Sequence, residues 1–161
     1  VLDDAYKEHE RGKLRFEDSC RTLNKRYGLS MSSQDWGIGW NKLWTRPFSK
    51  VLELFPGIKT NYRLCAFSNT NATHAKDFTS KYPEVISQFD ELFLSHELGE
   101  RKPDAAGFEL ICKQLNCQPS QIAFFDDTQE NIDGAKKFGI RASLTKGEAE
   151  VASALKSLLL S

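Results

Sequence analysis

Two hydrophobic rhythms divide this chain near residue 55. In the first part apolar residues recur at intervals of three and four. Leu14, Phe16, Cys20, Leu23 and Tyr27 share one helical face within a charge-rich stretch. Gly12 is placed to end a first helix, Phe16-Glu17-Asp18 to begin a second, and Gly28 to close that one in the left-handed conformation. Residues 34–54 form an aromatic-heavy helical stretch, carrying Trp36, Trp40, Leu43, Trp44, Phe48, Val51, Leu52 and Leu54, with an interruption at Pro47. Trp36, Trp40 and Trp44 are spaced by fours, and such a face packs inside the molecule more often than it docks a partner helix. Beyond Pro56 the rhythm changes to short continuous apolar runs at 64–67, 92–94 and 122–125, with a weaker one at 141–144. These fit strands buried on both faces of a parallel sheet. Helical patterns follow at 103–115, with Pro103 suited to the first turn, at 131–138, closed by Gly139, and at 151–160. The alternation predicts an α/β fold with helices on both faces of the sheet.

Composition narrows the possibilities without naming a function. A chain of 161 residues fits roughly one domain, or one domain with a small appendage. Its 22 Lys plus Arg balance 22 Asp plus Glu, so it lacks the basic footprint of a nucleic-acid or anionic-membrane binder. No apolar run approaches the ~20 residues of a membrane helix, and no basic-then-apolar leader opens the chain. Cys20, Cys65, Cys112 and Cys117 include no C-x-x-C pair. They read as reduced, buried thiols, which points to a cytoplasmic setting.

In open parallel sheets, ligands bind beyond the carboxyl ends of the strands. The residues there are Ser68-Asn69-Thr70, the segment 95–102 ending in Lys102, and Asp126-Asp127. Hydroxyl and amide donors, an ammonium and two adjacent carboxylates are what a phosphate with Mg²⁺ requires. Each also has a plainer reading. Ser68-Asn69-Thr70 makes a turn, Lys102 is a solvated loop lysine, and Asp127 with Glu130 forms a capping box. His74 and His96 receive no role.

Taken in order, these residues resemble motifs of the haloacid dehalogenase superfamily. Residues 67–71, Phe-Ser-Asn-Thr-Asn, resemble motif II. Residues 99–104, Gly-Glu-Arg-Lys-Pro-Asp, resemble motif III, and residues 123–132 resemble motif IV in its paired-aspartate form. Residues 9–13, His-Glu-Arg-Gly-Lys, and the helices after them resemble the small helical cap inserted after the first strand in one subfamily. Similar His-Glu-Arg-Gly and Ser-Asn-Thr-Asn stretches occur in the bacterial α-D-glucose-1-phosphatase-like group. The resemblance implies a three-layer α/β/α Rossmann-like core at 55–161 and an all-helical cap at 1–54. It implies Mg²⁺-dependent hydrolysis of a phosphomonoester through an aspartyl-phosphate, on a small phosphorylated metabolite such as a sugar phosphate. Ser68, the Asn69 amide and Lys102 would bind the phosphoryl group, Asp126 and Asp127 would hold Mg²⁺, and Asn131 would support them.

One departure matters. The family's motif I, an apolar strand ending in D-x-D that supplies the nucleophile, is not found in these 161 residues. Asp3-Asp4 follows only Val1-Leu2, and Asp90 follows no apolar strand. In the family that motif precedes the cap. The expectation is therefore that on the order of 30 residues, about a strand, a loop and a helix start, lie upstream of Val1, and that the chain by itself is inactive. Two rival readings stand beside the phosphatase. One is a 2-haloacid dehalogenase, disfavoured by the paired aspartates because those enzymes need no metal. The other is a non-catalytic interaction or regulatory module.

Overall fold

A computed structural model describes residues 4–42 and 46–160. The first part is helical, as its three- and four-residue spacing requires. α1 (Asp4–Glu10) stops just before Gly12, whose φ is +70°. α2 (Phe16–Tyr27) stops at Gly28, which takes φ 64° and donates its N–H to the Asn24 carbonyl. α3 (Ser33–Asn41) begins where the Ser32 side chain accepts the Asp35 N–H. The stretch 34–54 is broken as Pro47 predicts, with α3 followed by α4 (Ser49–Leu52) and α5 (Phe55–Lys59). Trp36 and Trp40 pack with aromatic residues of the same helical part. Tyr6 stacks on Trp40 at 5.3 Å between ring centroids, and Trp36 donates from Nε1 to Asn24 Oδ1 at 2.9 Å. Leu43 and Trp44 lie outside the described residues.

The second part alternates strands and helices. β1 (Cys65–Ser68), α6 (Ala72–Lys81), α7 (Pro83–Ile86), β2 (Glu91–Leu94), α8 (Ser95–Leu98) and α9 (Ala105–Leu115) come first. A 3-10 turn (Pro119–Gln121) then leads to β3 (Ala123–Asp126), α10 (Gln129–Phe138), β4 (Arg141–Leu144) and α11 (Gly147–Leu159). All four strand runs of the sequence are therefore strands, within a residue or so.

Three details differ from the sequence reading. The sequence reading names no helix at α6; Asn71 caps it, its side chain accepting the His74 N–H at 3.0 Å. Pro103 does not enter the first turn of α9. It lies in a turn closed by Asp104 N–H to Arg101 O at 3.0 Å, behind a cis Lys102–Pro103 peptide, and the helix starts at Ala105. β1 and β3 are half-buried rather than buried on both faces, β2 is buried on both faces only at Phe93 and Leu94, and in β4 only Ala142 is buried.

β1 pairs in parallel with β2, Cys65 opposite Glu91 and Ser68 opposite Leu94. β3 pairs in parallel with β4, Ala123 opposite Arg141 and Asp126 opposite Leu144. Among the described residues no strand joins one ladder to the other. Alternation along β3 sets the layers. Phe124 packs with Phe108 of α9 and with Ile132 and Ala135 of α10. Phe125, one residue on, packs on the opposite side with Val51, Phe55 and Ile58 and with Ala152 and Leu155 of α11. Phe108, 1% exposed, touches the rings of Phe67, Phe124 and Phe138 at 5.7–6.1 Å and centres the first of these clusters. α6 covers β2 through Ala75 and Phe78 against Leu94. Among the described residues no helix is long and apolar enough to cross a membrane.

Candidate active site

The carboxyl ends of β1 and β3 meet at one side chain. Lys102 is only 7% exposed, so it is not a solvated loop lysine. Its ammonium donates to the Phe67 carbonyl at 2.6 Å and to Asp126 Oδ2 at 2.7 Å. It also lies over the rings of Phe67 and Phe124, at 5.3 and 5.5 Å from their centroids. A buried ammonium costs several kcal/mol unless it is paired and hydrogen-bonded. Here a carboxylate, a carbonyl and two aromatic faces meet that demand.

Asn69 holds the lysine's backbone. Its Oδ1 accepts the Lys102 N–H at 2.8 Å and its Nδ2 donates to the Lys102 carbonyl at 2.9 Å. The side chain thus pairs with the N–H and C=O of one residue, as a neighbouring strand would. The loop carrying it is fixed by Ser95, 0% exposed, whose Oγ accepts the Thr70 N–H and donates to the Thr70 carbonyl.

Asp126 is held from three directions. Oδ2 faces Lys102, and Oδ1 accepts the Thr128 N–H and the Asn131 amide, both at 2.9 Å. Burial alone would raise its pKa. The Lys102 charge and these hydrogen bonds outweigh that and leave the carboxyl below its ordinary value. Asp127 is exposed, and the bond given to its carboxylate is a local one from Thr128 Oγ1 at 3.3 Å. The capping box expected of Asp127 with Glu130 is not formed. Thr128 is the cap residue of α10 and has no side-chain cap bond, while Asp126 takes the turn's N–H.

Ser68, Asn69, Lys102, Asp126, Asp127 and Asn131 all line one cavity of ≈ 330 Å³. These are the six residues named from the sequence, and Glu10, Phe67, Arg101, Pro103, Thr128 and Glu130 also line the cavity. Asp126 and Asp127 give this cavity two hard oxygen donors, and among the described residues no cluster of three His, Cys, Asp or Glu side chains exists. That donor set suits Mg²⁺, which keeps several waters and takes one or two carboxylates plus phosphate oxygens.

Sequence reasoning missed two contributions. Glu10, on α1, reaches the same cavity and accepts from Arg101 Nε at 2.8 Å. The two side chains are 5% and 8% exposed. Burial pushes the Glu10 carboxyl up, against the pull of Arg101, and burial also drives the nearby Tyr6 hydroxyl up to about 12. Beside this pair, Arg11 binds Glu8 and Asp104. No spacing links residues 91 positions apart, so although the resemblance singled out both stretches, 9–13 and 99–104, it did not pair Glu10 with Arg101. The second is Gly134 in α10. A Cβ there would stand 2.4 Å from the Pro103 carbonyl oxygen, so only glycine lets α10 approach the lysine loop. A second, apolar cleft of ≈ 440 Å³ shares Ser68 with the first and runs past Ala66, Leu92 and Leu94.

A loop lysine bridging two strand ends to a carboxylate, with paired aspartates opening an α/β cavity, is an arrangement that can receive a phosphoryl group. The haloacid dehalogenase-like hydrolase family matches residues 41–139, and the chain belongs to that family. It is 26% identical over 139 residues to a D-ribitol-5-phosphate phosphatase of Bacteroides thetaiotaomicron, covering 83% of this chain and 68% of that protein. It is 27% identical over 143 residues to a sesquiterpene phosphatase of Aspergillus oryzae, covering 87% of this chain and 71% of that one. In fold it is similar to a haloacid dehalogenase family enzyme of Bacteroides thetaiotaomicron solved with magnesium and inorganic phosphate. That likeness has a TM-score of 0.75 at 24% identity, over 91% of this chain and 76% of the other.

Proposed function

We propose that this chain carries most of a Mg²⁺-dependent phosphomonoester hydrolase acting on a small phosphorylated metabolite, with a sugar or polyol phosphate as its substrate. The observation that carries the reading is Lys102, buried and bridging the ends of two strands beside a carboxylate pair in one cavity. A phosphatase relative that acts on ribitol 5-phosphate supports the substrate class.

In this reading Ser68 and the Asn69 backbone amide hydrogen-bond the phosphoryl oxygens. Lys102, oriented by Asn69, neutralises charge that grows in the transition state. Asp126 and Asp127 would hold Mg²⁺, which supplies charge neutralisation of the phosphoryl group. Asn131 keeps Asp126 in place. The nucleophile would be a carboxylate on a strand seated between β1 and β3, supplied by a segment outside these residues, and its attack would give an aspartyl-phosphate hydrolysed by water. Two parallel ladders with no joining strand among the described residues support that placement, as does an apolar cleft beside Ala66 and Ser68. Residues 1–54 would form the cap and 55–161 the core, with α4 rooted in the core through Val51. The setting would be cytoplasmic.

The test is phosphate release from a panel of phosphomonoesters by the protein extended with its upstream coding sequence, with and without a chelator. Release that needs Mg²⁺ and is lost in Lys102→Ala is the expected result. The 161-residue chain should be inactive. Halide release from 2-halo acids that survives the chelator would overturn the assignment in favour of a dehalogenase. A D-x-D-bearing protein that releases phosphate from nothing would support a non-catalytic module.

A further inference from the structure

Away from the cavity, two thiols meet at the far end of α9. The helix closes with Asn116 in the left-handed conformation, φ 51° and ψ 50°. The Cys117 N–H donates to the Cys112 carbonyl at 3.0 Å, and the Asn116 N–H to the Lys113 carbonyl at 3.2 Å. This pair of bonds is the Schellman arrangement, and it sets the side chain two positions past the helix against one in its last turn. Those two positions are Cys117 and Cys112. Both residues are part-exposed, so a small reagent can reach them. All four cysteines are free, and Cys20 and Cys65 lie on other elements, α2 and β1.

We propose that Cys112 and Cys117 form a redox-active dithiol that closes to an intramolecular disulfide with a low-molecular-weight disulfide, such as oxidised glutathione, as the oxidant. The Schellman turn supplies the proximity that a disulfide demands, because bridged residues need their α-carbons within about 4.4–6.8 Å. Cys117 attacks first, since burial and the neighbouring thiol hold Cys112 protonated. The Cys117 thiolate displaces one small thiolate and forms a mixed disulfide. Cys112 then loses its proton to solvent and attacks the Cys117 sulfur, and the second small thiolate leaves. The protein gives up two hydrogens and two electrons, and one small disulfide becomes two thiols. Closure staples the end of α9 opposite to the end that follows Pro103, so the phosphate cavity is left unaltered.

The sequence provides a convenient readout, because Lys113 lies between the two cysteines and trypsin separates them. The protein is equilibrated with oxidised glutathione or with a reductant, blocked with N-ethylmaleimide under denaturing conditions, weighed intact, and digested without reduction. The expected result is two fewer maleimide adducts in the oxidised sample and a cross-linked peptide pair containing Cys112 and Cys117. The Cys112→Ser variant should instead stop at a glutathione adduct on Cys117. Full labelling of all four cysteines, a stable glutathione adduct on Cys117 of the unaltered protein, or a cross-link involving Cys20 or Cys65 would overturn the proposal.

Discussion

Exchanging glycine for alanine should have opposite signs at two helical positions of this protein. Gly39 lies in α3 with nothing within 4 Å of the place its Cβ would take, whereas Gly134 in α10 would set that atom 2.4 Å from Pro103 O and 2.7 Å from Pro103 Cβ. Alanine gains about 1 kcal/mol over glycine inside a helix. At Gly39 that gain is unopposed. At Gly134 the backbone of the lysine loop or of α10 must move. α10 cannot withdraw freely, because Ile132 and Ala135 beside Gly134 are 1% and 0% exposed. Overpacking of this kind costs about 1–3 kcal/mol. With rigid atoms on both sides the upper end applies, which leaves a net loss of about 2 kcal/mol after the helix gain. The two variants should therefore differ by about 3 kcal/mol, in urea midpoints at unchanged m-value. Because Pro103 follows Lys102 directly, Gly134→Ala should also weaken inorganic phosphate binding, and Gly39→Ala should not. A Gly134→Ala protein as stable as the unaltered one, with phosphate affinity intact, would refute the packing argument.

Other outcomes follow from the same contacts. Glu10→Ala leaves Arg101 charged and buried without its partner, and should cost about 3–5 kcal/mol in denaturant unfolding. Glu10→Gln, which keeps an acceptor for Arg101 Nε, should cost visibly less. Asn69→Ala removes both bonds to the Lys102 backbone, at about 0.5–1.5 kcal/mol each, and should lower phosphate affinity even though Lys102 remains. Asp90 is held below its ordinary pKa by its bonds to Lys59 and the Leu64 N–H. A depressed carboxyl stabilises the fold above its unfolded value of about 3.9 and loses that contribution as pH falls through the folded value. Melting curves of Asp90→Asn and the unaltered protein should therefore differ at neutral pH and converge in acid.

How much of this was legible follows from how local each signal is. The four strands and the glycine stops at 12, 28 and 139 depend on neighbouring residues, and they were read directly. Five of the six cavity residues were reachable because strand ends in a parallel sheet gather on one edge, and Asn131 entered only through the family resemblance. The Glu10–Arg101 pair and the Gly134–Pro103 approach were not reachable, since each joins segments whose encounter depends on the finished packing. Pro103 was misplaced for a related reason. Its suitability for a first helical turn is a local preference, and the turn closed by Asp104 N–H to Arg101 O shifts the helix start to Ala105. Lys102 shows the difference in kind. Its local sequence is that of a loop, and its burial exists only because Phe67, Phe124 and Asp126 arrive around it.

The two bonds between Asn69 and the Lys102 backbone also restrict which sequences this corner tolerates. An acceptor and a donor must stand side by side on a short stem, and among the standard side chains only asparagine has that arrangement at that length. Aspartate has no donor to offer the Lys102 carbonyl, glutamine carries its amide a methylene too far, and serine offers a single atom. Position 69 is thus as narrowly specified as the lysine it serves, although its side chain need never touch a substrate. Drift elsewhere in the loop can reshape what enters the cavity, while this one amide works as an extra rung of backbone that heredity must copy letter by letter.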